Sequence, residues 1–441
     1  MAERETIQPE GVLSAVVVSQ MLFMAGHSLT STTSGFLTYS FFEFAPSAFA
    51  AALLLTLPDA AGMFGLATRW LSQYCGGRKR VWMTSFLAAR VASFLIPIAL
   101  VWREQVPLVS AQTFILICVG VWHMCQAVSF LAYLSWISVL VKDNRWGRLF
   151  AAYSVASLVV RFVLPTVIAL WREHSLQDAS PVWKMGSYAV VFALGGLLCL
   201  ASMIPLLRLP DAIPEETHKP SGSSPSTVNR MWSVLKDSKY RRLLAHWWWL
   251  SLFQGLTQAI LWKYRINVLN ISLPTFLMMD AGMFLLQIPM SIWAGQLCDR
   301  GRLWPAYAWS VAGVSFSMLF YIAATKETWW LLVVGHLLFG FFGMINVCLD
   351  TASLRLAPRD DNLMHISLLR QVGSVLAAAS GLFAGWWLDR FLAANQGVGL
   401  GTGCRILMVL SWAGRILAVI WLLPFLWTVD RTGETESAGE G

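Results

Sequence analysis

Residues 185–204 read MGSYAVVFALGGLLCLASMI, a run of 20 residues without a charged side chain. A helix of about 20 apolar residues crosses the hydrocarbon core of a bilayer, because each residue advances the helix by about 1.5 Å. Similar runs recur along all 441 residues, of which 57% are hydrophobic and only 13% charged. A water-soluble core of this length does not bury so much apolar surface, so the sequence predicts a membrane protein.

Apolar windows bounded by charges or turn residues predict about twelve transmembrane helices in two sets. The first set covers residues 13–34, 45–71, 81–101, 111–140, 149–170 and 185–204. The second set covers residues 243–262, 274–297, 304–323, 329–354, 363–391 and 406–427. We therefore expect an all-α membrane protein with an N-terminal six-helix bundle (1–208), a cytoplasmic linker (209–242), a C-terminal six-helix bundle (243–428) and a cytoplasmic tail (429–441).

The basic residues predict the orientation in the membrane. If the amino terminus is cytoplasmic, 20 Lys and Arg residues lie on that side and eight on the other. The positive-inside rule then places both termini in the cytoplasm, in a cell (inner) membrane. Residues 1–11 are polar and lack the pattern of a secretory signal, so we expect the first apolar segment to remain as an anchor. Residues 228–242 mix apolar and basic side chains, as a short amphipathic helix on the membrane surface does.

Several classes of function are disfavoured. The net charge of +8 is spread over many short loops, which fits membrane topology and not nucleic-acid binding. The seven cysteines show no paired C-x-x-C spacing, so neither a disulfide framework nor a metal cluster is expected. The spans contain no H-E-x-x-H and no G-x-S-x-G motif. We therefore expect no enzyme activity and no cofactor.

The two halves share a short repeat. DAAGMF at residues 59–64 lies in the second predicted span, and DAGMF at residues 280–284 lies in the eighth. Duplicated halves are a recurring plan of transporters. After the eighth span comes GQLCDRGR at residues 295–302, and after the second comes GGRKR at residues 76–80.

The segment 295–302 resembles the G-x-L-x-D-R-x-G-R loop signature of the major facilitator superfamily (MFS), shortened by one residue. The segment 76–80 keeps only the glycine and the basic end of that signature. The resemblance implies two six-helix pseudo-repeat bundles around a central cavity, which opens alternately to the two sides of the membrane. It also implies cytoplasmic gate loops, with topology anchoring as the alternative role; the candidates are Arg78, Lys79, Arg80, Asp299, Arg300 and Arg302.

The Asp299 carboxylate is expected to cap a helix N-terminus and to pair with a basic neighbour. In the family that the chain resembles, spans one, four, seven and ten line the cavity. Polar side chains inside the membrane are costly and usually face protein or water. The substrate-cavity candidates of those spans are Gln20, His27, His123, Gln126, Tyr133, Gln254, Gln258 and Asn346.

For each of these side chains, a hydrogen bond between helices, which contributes about 1 kcal/mol, is an equally favoured alternative. His246 lies near two arginines and is expected at the membrane interface. Arg90 and Arg370 lie seven to nine residues past the cytoplasmic ends of their predicted spans, so snorkelling towards water is an open alternative for them.

Charged residues deeper in the spans are candidates for a charge pair or for ion coupling: Arg161, Asp280, Asp59 and Asp350. Arg161 and Asp280 are expected at similar depths, so we predict that they pair, either as a switch or as a static structural pair. In the switch, Arg161 is free to bind an anionic solute when the pair opens.

The sequence thus predicts a secondary transporter that moves a small solute by alternating access. Its expected partners are the lipid bilayer, a small-molecule solute, with an anion among the alternatives, and a coupling ion, either proton or sodium. The alternative is a transport-inactive receptor or accessory protein of the same fold. The incomplete first loop signature favours that alternative, while the duplicated halves and the polar cavity helices favour transport.

Overall fold

The computed structural model describes residues 9–32, 34–102, 105, 107–140, 146–176, 180–211, 227–357 and 362–426. Within these residues the chain is helical and contains no β-strand. The helices group into two compact units, which we call unit 1 and unit 2. This all-α architecture confirms the predicted fold class.

Unit 1 contains the helices of the amino-terminal half. They are α1 (Pro9–Thr30), α2 (Phe36–Phe42), α3 (Ala48–Ala61), α4 (Thr68–Tyr74), α5 (Arg78–Val101), α6 (Leu108–Leu140), α7 (Trp146–Ser175), α8 (Pro181–Ala201) and α9 (Ile204–Leu207). Helix α5 packs along α6, and α1 packs against both α7 and α8. The first residues of α3 are an exception, because Ser47–Ala52 belongs to unit 2.

Unit 2 contains the helices of the carboxy-terminal half. They are α10 (Thr227–Lys236), α11 (Ser238–Lys263), α12 (Leu273–Asp299), α13 (Leu303–Ala323), α14 (Trp330–Leu338), α15 (Phe342–Leu356), α16 (Asn362–Ala394) and α17 (Leu400–Ala418). Helix α11 packs against α16 and α17, and α13 packs against α14, α15 and α17. The segment Ser272–Met278, which includes the start of α12, belongs to unit 1.

Each predicted span corresponds to a helix or to a pair of joined helices. A 3-10 helix, Gly62–Ala67, joins α3 to α4 in the second span, and Phe339–Phe341 joins α14 to α15 in the tenth. Nine helical segments in the described part of the chain are long and apolar enough to cross a membrane. Helices α1, α7 and α11 occupy the three remaining predicted positions, so the chain has the twelve-helix arrangement of the prediction.

The start of α11 differs from its predicted position at residue 243. The helix begins at Ser238, because the Asp237 side chain accepts hydrogen bonds from the backbone N–H groups of Lys239 (2.9 Å) and Tyr240 (3.2 Å). The predicted amphipathic segment 228–242 is therefore divided between α10 and the first turn of α11. In α10 the Trp232 side chain is exposed, while Val234 is buried. Of the linker, residues 212–226 lie outside the described residues.

Gly381 and Gly385 in the eleventh span have the small-residue spacing that predicts close helix packing. A Cβ atom at Gly385 would lie 2.6 Å from the backbone oxygen of Ala48 and 2.7 Å from the Ala52 Cβ. No side chain fits there, so the prediction of close packing is confirmed for Gly385. Asp389, one turn further along α16, accepts hydrogen bonds from the N–H groups of Ala48 and Phe49, both at 2.8 Å.

Candidate functional site

Unit 1 contains a cavity of about 50 Å³ between α1, α5, α6 and the corner that joins α8 to α9. A single water molecule needs about 10–15 Å³ of such space, so the cavity has room for several water molecules. Gln20 from α1 and Gln126 and Tyr133 from α6 line it. The structure thus brings three of the substrate-cavity candidates together. The remaining wall consists of serine hydroxyls and of aromatic and aliphatic side chains.

Behind Gln126, the Arg90 side chain of α5 is only 1% exposed. Its Nη2 donates a hydrogen bond to Gln126 Oε1, and its guanidinium lies 4.9 Å from the Phe86 ring and 5.4 Å from the Trp122 ring. The Nε and Nη1 atoms are buried without a hydrogen-bond acceptor. Among the described residues, no carboxylate pairs with Arg90. The snorkelling alternative for Arg90 is wrong, because α5 begins at Arg78 and Arg90 lies about 18 Å along the helix.

The two histidines predicted for the cavity lie next to Arg90. His27 stacks on Phe23 at 5.4 Å and meets Trp122 edge-on at 6.4 Å, while His123 stacks on Trp122 at 4.7 Å. His27 interacts electrostatically with Arg90, with Arg161 and with His123. Unit 1 therefore concentrates basic side chains near the cavity, and we call Gln20, His27, Arg90, His123 and Gln126 the Arg90 cluster.

Unit 2 contains a chain of three hydrogen-bonded side chains from three helices. His336 Nε2 of α14 lies 2.8 Å from Asp280 Oδ1 of α12, and His336 Nδ1 lies 2.8 Å from the Tyr321 hydroxyl of α13. A neutral imidazole protonated on Nε2 donates to the carboxylate and accepts from the hydroxyl. His336 is buried, and Asp280 is half-buried. We call this group the Asp280–His336–Tyr321 chain.

Two buried arginines lie near this chain in unit 2. Arg415 of α17 is 3% exposed, and it donates from Nη2 to the Thr257 hydroxyl (2.7 Å) and from Nε to the Ser411 hydroxyl (3.1 Å). Arg265 donates from Nε to the backbone oxygen of Leu261 at 3.0 Å. Both arginines interact electrostatically with Tyr321. The charge of Asp280 is thus set among cationic and hydrogen-bonding groups of its own unit.

The other predicted residues are more scattered. Gln254 and Gln258 are half-buried on α11, and Asn346 is exposed on α15. Asp350 of α15 forms an ion pair with Arg370 of α16, and both side chains are half-exposed. Asp59 is half-buried on α3, and Arg161 is half-buried on α7. The Arg161–Asp280 pair stays a prediction, since the bond described for Asp280 is to His336.

The gate-loop candidates of unit 1 lie at the start of α5. Lys79 Nζ donates to the backbone oxygens of Leu207 (2.9 Å) and Leu209 (2.5 Å), and it lies 5.6 Å from the Trp136 ring. Lys79 thus holds the end of α9. Arg78 is half-buried beside it, and Arg80 is exposed.

In unit 2 the candidates Asp299, Arg300 and Arg302 are all exposed. Asp299 is the last residue of α12, and α13 begins without a side-chain cap. The expected capping by Asp299 is therefore wrong. The end of α12 is held instead by Arg355, whose Nη2 donates to the Cys298 backbone oxygen at 3.0 Å.

His246 is expected at the membrane interface, but its side chain is packed inside unit 2. Its side chain is fully buried in unit 2, where Nδ1 lies 2.8 Å from the Ala418 backbone oxygen and the ring meets Tyr307 edge-on at 4.9 Å. Five residues of α11 precede the predicted start of the span, so His246 lies more than two turns from the start of the helix. Sequence reasoning also missed Tyr321. The only sequence signal for it is the position of a tyrosine near the end of an apolar span. Aromatic residues that anchor a helix at the membrane interface occupy the same position, so the signal is not specific.

Two helical units with membrane-spanning lengths of apolar helix and ionisable groups buried inside them are the architecture of a multi-pass membrane protein. The sequence profile of the Major Facilitator Superfamily matches residues 13–362. The chain belongs to this superfamily. It is thus a secondary transporter that moves small-molecule solutes.

Solved structures with a similar fold come from several transporter types. A D-xylose–proton symporter is 15% identical, with 94% of this chain and 97% of that chain covered and a TM-score of 0.64. The peptide transporter POT in complex with sulfate is 14% identical, with 95% of each chain covered and a TM-score of 0.66. The nucleoside transporter NupG is 10% identical, with 95% and 99% covered and a TM-score of 0.62. At these identities the likeness shows the fold alone.

A comparison with curated protein sequences finds no significant match.

Proposed function

We propose that the chain moves a small polar solute across a cell membrane by alternating access, coupled to a proton carried by Asp280 and His336. The observation that carries this proposal is the Asp280–His336–Tyr321 chain. An ionised carboxylate inside a span costs at least about 2.5 kcal/mol, and protonation removes that cost. Imidazole is the side chain whose charge changes most readily near neutral pH. An acid bonded to an imidazole is therefore suited to take up and release a proton.

The bond to His336 favours a proton over sodium as the coupling ion. Transporters hold sodium with oxygen atoms, largely backbone carbonyls of unwound helices. Within the described residues, the group bonded to the Asp280 carboxylate is the His336 imidazole nitrogen. Among the similar structures, the symporter is named as a D-xylose–proton carrier, so the fold supports proton coupling.

The cavity in unit 1 supports a small polar solute. Ligand sites combine apolar and aromatic walls with a few polar groups that fix orientation. Trp82 and Phe86 provide such walls, while the amides of Gln20 and Gln126 provide polar groups. The similar structures are named as transporters of a sugar, of peptides and of nucleosides, and all three are polar solutes.

The excess of basic residues in the loops supports an inner-membrane protein with both termini and the linker 209–242 in the cytoplasm. A single cysteine introduced at Ser223 tests this orientation. In intact cells it should react only with thiol reagents that cross the membrane. Labelling by an impermeant external reagent would show the inverted topology.

Transport and coupling are tested together in reconstituted vesicles that contain a pH-sensitive dye. Solutes are first screened by counterflow, which needs no driving force. The unmodified chain should acidify or alkalinise the vesicle lumen as solute moves. Asp280→Asn should abolish proton movement and pH-driven accumulation, whereas Glu327→Gln, which removes an acid from an exposed loop, should change neither.

Solute-linked proton movement that persists in Asp280→Asn overturns the role of Asp280. A chain that carries no solute of a broad library in either direction overturns transport itself, and leaves the receptor or accessory alternative.

A further inference from the structure

The cavity of unit 1 is lined by hydrogen-bond donors and by no acidic side chain within the described residues. Gln20 is 6% exposed, and its Nε2 is buried without an acceptor. Gln126 has its Oε1 occupied by Arg90. Because the amide NH2 points away from its own carbonyl oxygen, the Gln126 Nε2 is left to donate elsewhere along the cavity wall. Two amide side chains thus line a space that offers no carboxylate within the described residues.

The charge behind this wall has only neutral partners among the described residues, the Gln126 amide and the Cys199 thiol. The guanidinium of Arg90 has two buried nitrogens without acceptors, Nε and Nη1. A buried charge without a partner costs several kcal/mol, because the protein interior replaces little of the lost hydration. The Phe86 and Trp122 rings offset part of this cost through cation–π contacts. A negative charge in the cavity would offset more of it.

We propose that this cavity binds one small monovalent anion, with the Gln20 and Gln126 amides as donors and Arg90 as the counter-charge behind Gln126. The space of about 50 Å³ fits an anion of the size of chloride or of a carboxylate group. Each of these anions carries one negative charge and accepts hydrogen bonds from several directions. Where the anion is a carboxylate of the transported solute, this inference rests on the proposed function and names its substrate class as short monocarboxylic acids of about the size of acetate.

Binding is measured on the purified full-length chain in lipid nanodiscs, without any transport step. The midpoint of thermal unfolding, followed by tryptophan fluorescence, is recorded in sodium chloride and in sodium acetate. Sodium gluconate at equal ionic strength is the reference, because this large anion exceeds the cavity. A ligand that binds only the folded state stabilises it by RT ln(1 + L/Kd), where L is the free ligand concentration, so the midpoint rises with the logarithm of that concentration above Kd. Chloride, acetate or both should raise it with this dependence.

Gln20→Leu separates a ligand site from a structural contact. In gluconate this variant should be as stable as the parent or more stable, because it removes a buried donor that has no partner. In chloride or acetate its upward shift should be lost. If Gln20 instead supports the fold, the variant loses stability equally in all three salts.

Arg90→Gln tests the counter-charge. Arg90 lies behind Gln126 and does not touch the anion, so the variant removes only its electrostatic attraction, and the anion should bind roughly tenfold more weakly. Arg405→Gln controls for net charge, because it removes a cation from unit 2, where Arg405 donates to Tyr264 and Ala324. That control should keep the full anion effect.

The arms of the experiment distinguish the two sources of the anion. A response to acetate alone assigns the site to a solute carboxylate, and a response to chloride as well assigns it to a small inorganic anion that a carboxylate replaces. The proposal is overturned if neither salt differs from gluconate, or if Gln20→Leu and Arg90→Gln both keep the parent's response. Anion binding without transport would overturn the proposed function and leave this inference standing.

Discussion

The deep arginines of the two units are placed in opposite surroundings. In unit 1, Arg90 donates to the Gln126 side chain, interacts with the Cys199 thiol, and otherwise lies between aromatic rings. In unit 2, Arg415 donates to two hydroxyls that are themselves fixed between helices, since the Ser411 hydroxyl donates to the Phe253 backbone oxygen. Nη1 is buried without an acceptor in both arginines, but Arg90 has a second such nitrogen, Nε, whereas Arg415 Nε is bonded to Ser411. The less satisfied cation suits a ligand, and the better satisfied one suits the framework.

The same contrast applies to the histidines. His336 is bonded through both ring nitrogens, to Asp280 and to Tyr321. In unit 1, His123 stacks on Trp122, and its Nε2 is buried without a partner. Unit 2 therefore contains a complete hydrogen-bonded chain, while unit 1 contains a histidine nitrogen that is buried without a partner.

The largest expected difference is between Arg415→Met and Arg90→Met. Removing Arg415 takes the cationic donor away from the Thr257 and Ser411 hydroxyls and leaves a space that the shorter methionine does not fill. We therefore expect the free energy of unfolding to fall by about 3 kcal/mol or more. Removing Arg90 deletes a charge that lacks a carboxylate partner, and we expect a change within about 1 kcal/mol. Chemical denaturation of both variants in the same detergent, at the same gluconate concentration, checks this order. Equal losses in the two variants would contradict the comparison.

The difference between the two arginines marks the limit of prediction from sequence. Hydropathy predicted the order of the spans, and small-residue spacing predicted the close packing at Gly385. Both are local properties of a helix. Hydropathy also identified Gln20 and Gln126 as polar residues in apolar spans. The pairing of His336 with Tyr321 was not predictable, because it joins two helices whose relative rotation is set by packing. Snorkelling of Arg90 was wrongly left open for a related reason, since the helix begins three residues before the predicted span.

The second prediction concerns Arg161 and Asp280, whose pairing is still a prediction. Asp280→Asn and Arg161→Gln are each expected to reduce stability, because each leaves a charge with a weaker partner. If the two interact, the double variant should recover about 0.5–3 kcal/mol relative to the sum of the single effects. Arg161→Gln combined with Glu327→Gln serves as the control cycle. Additive losses would show that Asp280 interacts with His336 and not with Arg161.

The third prediction uses two tyrosines of α13. Tyr321→Phe removes the hydroxyl that bonds to His336, so we expect a loss of about 1–2 kcal/mol from an unpaired ring nitrogen. Tyr307→Phe is the matched control, because the Tyr307 hydroxyl is buried without a partner. That variant should be neutral or slightly more stable. Thermal unfolding of both variants distinguishes a specific chain from a general need for hydroxyls in α13.

The smallest expected difference lies at the loops that carry the family signature. Lys79 donates to two backbone oxygens after α8, whereas Arg355 donates to one backbone oxygen at the end of α12. Both cations satisfy carbonyl groups that a helix end leaves free, and they interact favourably with the helix dipole. Lys79→Met should therefore cost about 1 kcal/mol, and Arg355→Met should cost about half as much.

The control for these two variants is Arg80→Met. Arg80 is exposed next to Lys79, and its substitution removes the same charge. Unfolding midpoints at low and at high salt separate the contributions, because screening weakens the dipole interaction while leaving the hydrogen bonds largely in place. If Arg80→Met costs as much as Lys79→Met, the basic loop of unit 1 acts through its charge alone. If only Lys79→Met is costly and its loss persists in high salt, the loop acts by fixing the end of the sixth span. In that case the incomplete signature of the first loop has kept a structural function through one lysine, while the second loop keeps its function through a residue outside its own signature.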